Sequence, residues 1–201
     1  MPYGSRTSPA QHFRSVAATA PDDTDPLEQI GRSMSSEILR SRSARQYLEV
    51  APSTATVGTV LSVVAQTLSF PTARINILDE HTQHTIGIHG PGAPDSVDRR
   101  ESFCDVVVTS GNPLIVHDAA RDARFSACSA VLDGQIRSYL GLPLRGRESL
   151  LIGAVCVHDD EPRTIGPQQL SLLIQFGRII ERQLEVRRRM TEQRAGRRAA
   201  S

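Results

Sequence analysis

Hydrophobic positions along the chain switch between helical and strand periods. In residues 26–48, Leu27, Ile30, Met34, Ile38 and Leu39 recur at spacings of three and four, predicting an amphipathic helix with a Ser- and Arg-rich polar face. Asp25 is placed to cap it, with Pro26 at its first position. Pro52 and Ser53 start a second helix, which carries Val57, Val60, Leu61, Val64 and Leu68 on one face until Pro71 stops it. The period then drops to two. Ala73, Ile75 and Ile77 alternate with Arg74, Asn76 and Leu78; Asp79, Glu80 and His81 turn the chain, and residues 83–89 return as a second strand. Residues 90–98, with two Gly and two Pro, read as a loop.

Ser102 is positioned to cap a short helix from Phe103 to Ser110 that Gly111 ends. A short buried strand at 114–116 runs into His117 and Asp118, and residues 119–135 read as a short helix or long loop. The most informative stretch is 136–163. Tyr139, Leu142 and Leu144 form a strand run interrupted by Gly141 and Pro143, and Gly146, Arg147, Glu148 and Ser149 make a turn. An apolar run at 150–157 follows, and Asp159, Asp160, Glu161 and Pro162 then leave the sheet. The last helix covers 168–189, where Leu170, Leu173, Gly177, Ile180 and Leu184 form a coiled-coil-like seam. Hairpin-linked strands between terminal helices describe an α+β domain with an antiparallel sheet.

Composition narrows the chemistry. The chain has 201 residues, is 39% apolar and only 4% aromatic, so its core is aliphatic and suits one domain with tails. Residues 1–25 carry no apolar period and read as a disordered tail, and no segment has the length of a membrane span or the core of a signal peptide. A cytoplasmic location is the expectation. All 23 basic residues are arginine, which removes Schiff-base and P-loop lysine chemistry. Between Arg178 and Arg198 eight arginines face three glutamates, giving a basic tail over 188–201. It lacks the interleaved aromatics of a single-strand platform, so nucleic acid is not the expected partner. Cys104, Cys128 and Cys156 are widely spaced and form no zinc pattern. No nucleophile elbow, zincin or P-loop motif occurs, and three consecutive acids at 159–161 read as a solvated turn.

Seven pieces, in order, resemble the GAF family of sensory domains: ARINILDE at 73–80, SFC at 102–104, VHDA at 116–119, DARF at 122–125, YLGLPL at 139–144, IGAVCV at 152–157, and Pro162 with Arg163. The similarity covers residues 51–187 and is strongest to the bacterial subgroup found fused to histidine kinases and cyclic-di-nucleotide enzymes. It implies a six-stranded antiparallel sheet, the N- and C-terminal helices on one face, and a loop and short-helix pocket on the other. Residues 26–50 then form a helix preceding the domain.

On that resemblance the chain is expected to be a free-standing, non-enzymatic sensory module. It would bind a small molecule, relay signals through helix-mediated homodimerisation or docking to a separate signalling protein, and have no membrane partner. Its cofactor is left unnamed. The candidate ligand-binding residues are Cys104, Asp118, Asp122, Arg124, Phe125, Arg137 and Tyr139, a few polar groups beside apolar walls. Asp118, Asp122 and Arg124 equally suit capping bonds and an ion pair, and Phe125 suits a core plug. Cys104, in the first turn of a helix, is where a thiol's pKa is lowered, which opens a thiol-based redox reading or one similar to the free methionine sulfoxide reductases. That subgroup's cysteine pattern is not matched. Bilin attachment is disfavoured because Asp105 follows Cys104, and haem would need His89 or His117 as axial ligand. A ligand-free interaction scaffold is the remaining alternative.

Overall fold

The structure, a computed structural model, describes residues 26–50, 54–91 and 96–199. Six strands form one antiparallel sheet: β1 Thr72–Leu78, β2 Thr82–His89, β3 Ser96–Asp98, β4 Leu114–Val116, β5 Ser138–Arg145 and β6 Leu151–Asp159, in the order β3-β2-β1-β6-β5-β4. Helices α1 Pro26–Glu49, α2 Thr54–Leu68 and α5 Pro167–Ala199 pack on one face of the sheet. Helix α3 Phe103–Ser110 and the short α4 Ser129–Leu132 lie on the other. The α+β architecture matches the expectation. Asp25, Pro52 and Ser53, invoked as helix starts, lie outside the described residues, as does the segment 1–25.

Strand alternation sorts the two faces. Ala73, Ile75 and Ile77 of β1 join Val155 and Val157 of β6 and Leu140, Leu142 and Leu144 of β5 in an aliphatic core beneath the helices. Leu78, Ala154, Cys156 and Tyr139 point the other way, towards Phe103, Val107 and Val108 of α3. The β1–β6 register sets Arg74 opposite Cys156 and Asn76 opposite Ala154, so Arg74 and Asn76 share that second face.

Four features differ from the sequence-based expectation. Pro143 does not break β5, because β4 pairs only with Tyr139, Leu140 and Gly141, leaving Pro143 beyond its reach, where no N–H is needed. The stretch read as a loop contains edge strand β3, which pairs with the start of β2. Helix α5 continues through the region expected as a basic tail, laced by Arg189 to Glu185 at 2.7 Å and by Arg188 to both Glu185 and Glu192.

The largest difference is in α1. Met34, Ile38 and Leu39, on the apolar face read from the sequence, are 61%, 59% and 57% exposed, whereas Arg40, Ser41, Ser43, Ala44 and Tyr47 are buried. The cause is the strand end that α1 crosses. Arg40 donates to the carbonyls of Leu78 (2.6 Å), Asp79 (2.7 Å) and Leu151 (3.2 Å), satisfying backbone acceptors that an apolar side chain would orphan. Glu37 pairs with Arg40 at 2.8 Å and with Arg99, which in turn holds Asp105.

Candidate functional site

A cavity of about 190 Å³ opens on the loop face between the sheet, α3 and α4. Its floor is the outward row of the sheet: Arg74 and Asn76 from β1, Cys156 and His158 from β6, and Tyr139 from β5. Ser102, Phe103 and Cys104 at the start of α3 form one wall. Ser102 caps that helix by accepting the Asp105 N–H at 3.0 Å, and Gly111 ends it in the left-handed conformation at φ 66°. Glu101, Asp133 and Gln135 stand at the exposed rim, and Gln83 of β2 closes one side.

Two different chemistries meet on the floor. The first is a packed cluster around Cys104. Its sulfur lies 3.2 Å from the Tyr139 hydroxyl and accepts from Asn76 Nδ2 at 3.3 Å, and the same amide reaches Cys156 Sγ at 3.7 Å. The Cys156 thiol, then the Tyr139 hydroxyl and the Asn76 amide, hold the Cys104 thiol below its ordinary pKa against the effect of burial. Cys156 and Tyr139 are pushed up correspondingly. Donors from neighbouring side chains thus act on a thiol that also sits in the first turn of α3. Gly141 makes room for this cluster, since a Cβ there would run into the Tyr139 ring.

The second chemistry is unsatisfied. Both ring nitrogens of His158, the Gln83 Oε1 and the Arg74 Nε are buried without a hydrogen-bond partner. His158 is only 5% exposed and Gln83 7%. Burial, then the Arg74 charge, hold the His158 pKa at about 3, with Asp159 opposing, so its imidazole is neutral at pH 7.

Of the seven residues put forward from sequence, Cys104 and Tyr139 line the cavity. The other five lie outside its lining. Arg137 and Asp118 make a two-pronged ion pair at 2.9 and 3.0 Å, and Asp118 also caps the single turn at Ala119–Arg121. Asp122 and Arg124 pair with each other at 2.6 Å on the surface. Phe125 is buried behind Phe103, ring centroids 4.1 Å apart, with Arg124 over its outer face. His117 and His89 also lie outside the lining; His117 Nδ1 accepts the Ile165 N–H at 3.1 Å and braces the chain before α5. Among the described residues no group of three His, Cys, Asp or Glu is placed to hold a metal ion.

Sequence reasoning missed Arg74, Gln83 and His158. The signal for Arg74 was present in its alternation with Ala73 and Ile75, which sets a charged residue on the second face of a central strand. His158 was hidden because the apolar run was ended at Val157, while β6 continues to Asp159.

The family model for the GAF domain matches residues 53–184. The chain belongs to the GAF family, a family of sensory and regulatory modules. Residues of the chain are 32% identical over 126 positions to a cyclic di-GMP phosphodiesterase of Pseudomonas aeruginosa, covering 60% of this chain and 21% of that protein. The chain thus spans about a fifth of that relative's length. The GAF domain of an Acinetobacter phosphoenolpyruvate-protein phosphotransferase superposes with a TM-score of 0.55 at 16% identity, covering 79% of this chain and 98% of that one. A free methionine-R-sulfoxide reductase from Neisseria meningitidis, in complex with its substrate, gives 0.56 at 16% identity, covering 78% and 92%. At such identities these structures show a shared fold. Among the described residues no helix is long and apolar enough to cross a membrane.

Proposed function

We propose that this chain is a non-catalytic GAF sensor that binds a small molecule in the loop-face cavity. The observation carrying this reading is the convergence of His158, Gln83 and Arg74 on one cavity with their polar atoms unpartnered. Buried polar groups are almost always hydrogen-bonded, and leaving one unpaired costs about 1–3 kcal/mol. A bound molecule supplies the missing partners. The test is a thermal-shift screen of metabolites on the wild type and on Ala130→Phe, which fills the cavity from α4. A ligand at 100 times its Kd stabilises by about 2.7 kcal/mol. Ligands that stabilise only the wild type support the reading; a screen in which nothing distinguishes the two proteins sinks it.

Signal output through a homodimer has support of a particular kind. Leu173, Ile180 and Leu184 of the α5 seam are consumed by the chain's own core. A separate apolar surface remains, with Val60 and Val63 of α2 beside Ile179 and Val186 of α5, all exposed. A second copy meeting these helices would cover it. Sedimentation velocity should show a dimer that Ile179→Glu dissociates; a monomer at every concentration would remove dimerisation.

A redox reading is favoured by the two thiols sharing Asn76. Hydrogen peroxide would oxidise the Cys104 thiolate to a sulfenic acid, releasing hydroxide. The Cys156 thiol would then attack that sulfur, expelling water and forming a disulfide. Mass spectrometry after peroxide treatment should find two hydrogens lost, and none in Cys156→Ala; thiols that stay reduced exclude the switch.

A further inference from the structure

We propose that the buried end of the cavity is a carboxylate site. Arg74, His158 and Gln83 would receive a small organic acid that bears a hydrogen-bond donor next to its carboxyl group. This rests on the ligand-binding reading above and names the class of ligand.

Arg74 carries the argument. Arg40, Arg99, Arg137, Arg163 and Arg188 each hold a carboxylate within the protein. Arg74, on a central strand, has none among the described residues, and its Nε is buried without a partner. A guanidinium in this setting attracts an anion, and its planar fork fits a carboxylate in two-pronged fashion. The acids of the cavity, Glu101 and Asp133, stand at its exposed rim and form no ion pair with Arg74, and Asp159, next to His158, is engaged by Arg163.

His158 and Gln83 define the rest. A neutral imidazole offers one N–H and one lone pair, so His158 can donate to the same carboxylate. The Gln83 oxygen, buried and unpartnered, accepts from a hydroxyl or ammonium beside the carboxyl group. Size favours a compact ligand and charge a monoanion. The cavity of about 190 Å³ is below the ~300 Å³ at which drug-sized pockets begin. Among the described residues its lining offers one arginine and no second fixed cation, and Glu101 and Asp133 stand at the rim. A phosphate dianion would meet one positive charge and two negative ones. At the α3 N-terminus the Asp105 N–H is already taken by Ser102.

The test is titration calorimetry with short-chain 2-hydroxy and 2-amino acids, their methyl esters, the corresponding plain acids, and inorganic phosphate. The free acids should bind and the esters should not. Arg74→Met should weaken the acids by about 30-fold or more, the effect expected of removing one partner from a buried charge pair. Gln83→Met should erase the preference for donor-bearing acids over plain ones while leaving plain-acid affinity intact, which guards against a misfolded Arg74 variant. Phosphate binding more tightly than every carboxylate would overturn the assignment. So would neutral molecules that Ala130→Phe blocks and Arg74→Met leaves unchanged, in which case the cavity remains a ligand site and only its anion specificity fails. If none of these compounds binds, the carboxylate assignment fails, while the ligand-binding reading is decided by the metabolite screen on the wild type and Ala130→Phe.

Discussion

The two faces of the sheet are built from the same strands and solve opposite problems. Beneath the helices, β1 presents Ala73, Ile75 and Ile77 to an aliphatic core that α2 and α5 seal. Among the described residues the orphaned polar atoms on that side are two small hydroxyls, on Ser41 and Ser138. On the loop side the same strand presents Arg74 and Asn76 to a cavity, and the orphans are a guanidinium nitrogen, an amide oxygen and a whole imidazole. One face holds the fold together. The other is packed where α3 meets Leu78, Ala154 and Cys156 and leaves unsatisfied polarity only at the cavity, where local rules are most often broken for function.

The comparison breaks first on stability. Leu61, fully buried in the helix-side core, has no way to be replaced by water, so Leu61→Ala should cost about 2–5 kcal/mol in urea unfolding. Binding in the loop-face cavity should be unchanged for the protein that remains folded. A cost under 1 kcal/mol would mean that the helices are loosely docked. Next comes Arg40→Met, which leaves the carbonyls of Leu78, Asp79 and Leu151 without their donor and should cost roughly 2–3 kcal/mol. If that variant is as stable as the wild type, water replaces the guanidinium and α1 is held by its apolar contacts alone.

The loop face should behave in the reverse sense. His158→Leu keeps similar volume and removes two unpartnered nitrogens, so stability at pH 7 should stay level or rise by about 1 kcal/mol, while ligand binding falls. The pH profile sharpens the contrast. His158 titrates at about 3 in the folded chain, against an ordinary 6.5. Between those values the unfolded chain takes up a proton that the native state refuses, so stability falls as pH falls through this window. The largest slope a single group can impose is about 1.4 kcal/mol per pH unit. Urea midpoints between pH 7 and 5 should show that decline in the wild type and a flatter line in His158→Leu. Parallel lines would mean that His158 is solvated. A carboxylate ligand should raise the whole wild-type curve without moving the start of the decline, because it stabilises the native state and leaves the unfolded-state titration unchanged.

Periodicity made most of the fold legible. The β1–β2 hairpin, the capped α3, the β5–β6 hairpin and the α5 stripe all follow from spacing, because each buries one regular apolar face. It failed where a polar group outcompeted that rule. In α1 the carbonyl ends of β1 and β6 demanded a donor, so Arg40 went in and Met34, Ile38 and Leu39 faced out. The site was less legible for a related reason. Polar residues in the loop segment 117–125 suited a ligand or capping bonds and an ion pair alike in sequence, and in the structure Asp118 and Asp122 each pair with an arginine. The unpaired groups sat inside strands, where alternation alone does not tell a solvent face from a cavity.

The smallest effect tests that distinction directly. Asp122 and Arg124 are joined by two hydrogen bonds between their side chains, at 3.0 and 2.6 Å, yet Arg124 is over half exposed and the pair lies outside the cavity. Exposed ion pairs contribute about 0–1 kcal/mol, because solvent screens the attraction and fixing two side chains costs entropy. Arg124 also lies over the outer face of Phe125, 5.0 Å from its centroid, which adds little at such exposure. Arg124→Ala should therefore change stability by less than about 0.5 kcal/mol and leave acid binding within twofold of wild type. A large loss of affinity with stability intact would place the 122–125 segment in the binding machinery. The cavity would then have to extend past the Phe103–Phe125 stack, and the boundary drawn between the paired loop and the unpaired strand residues would move.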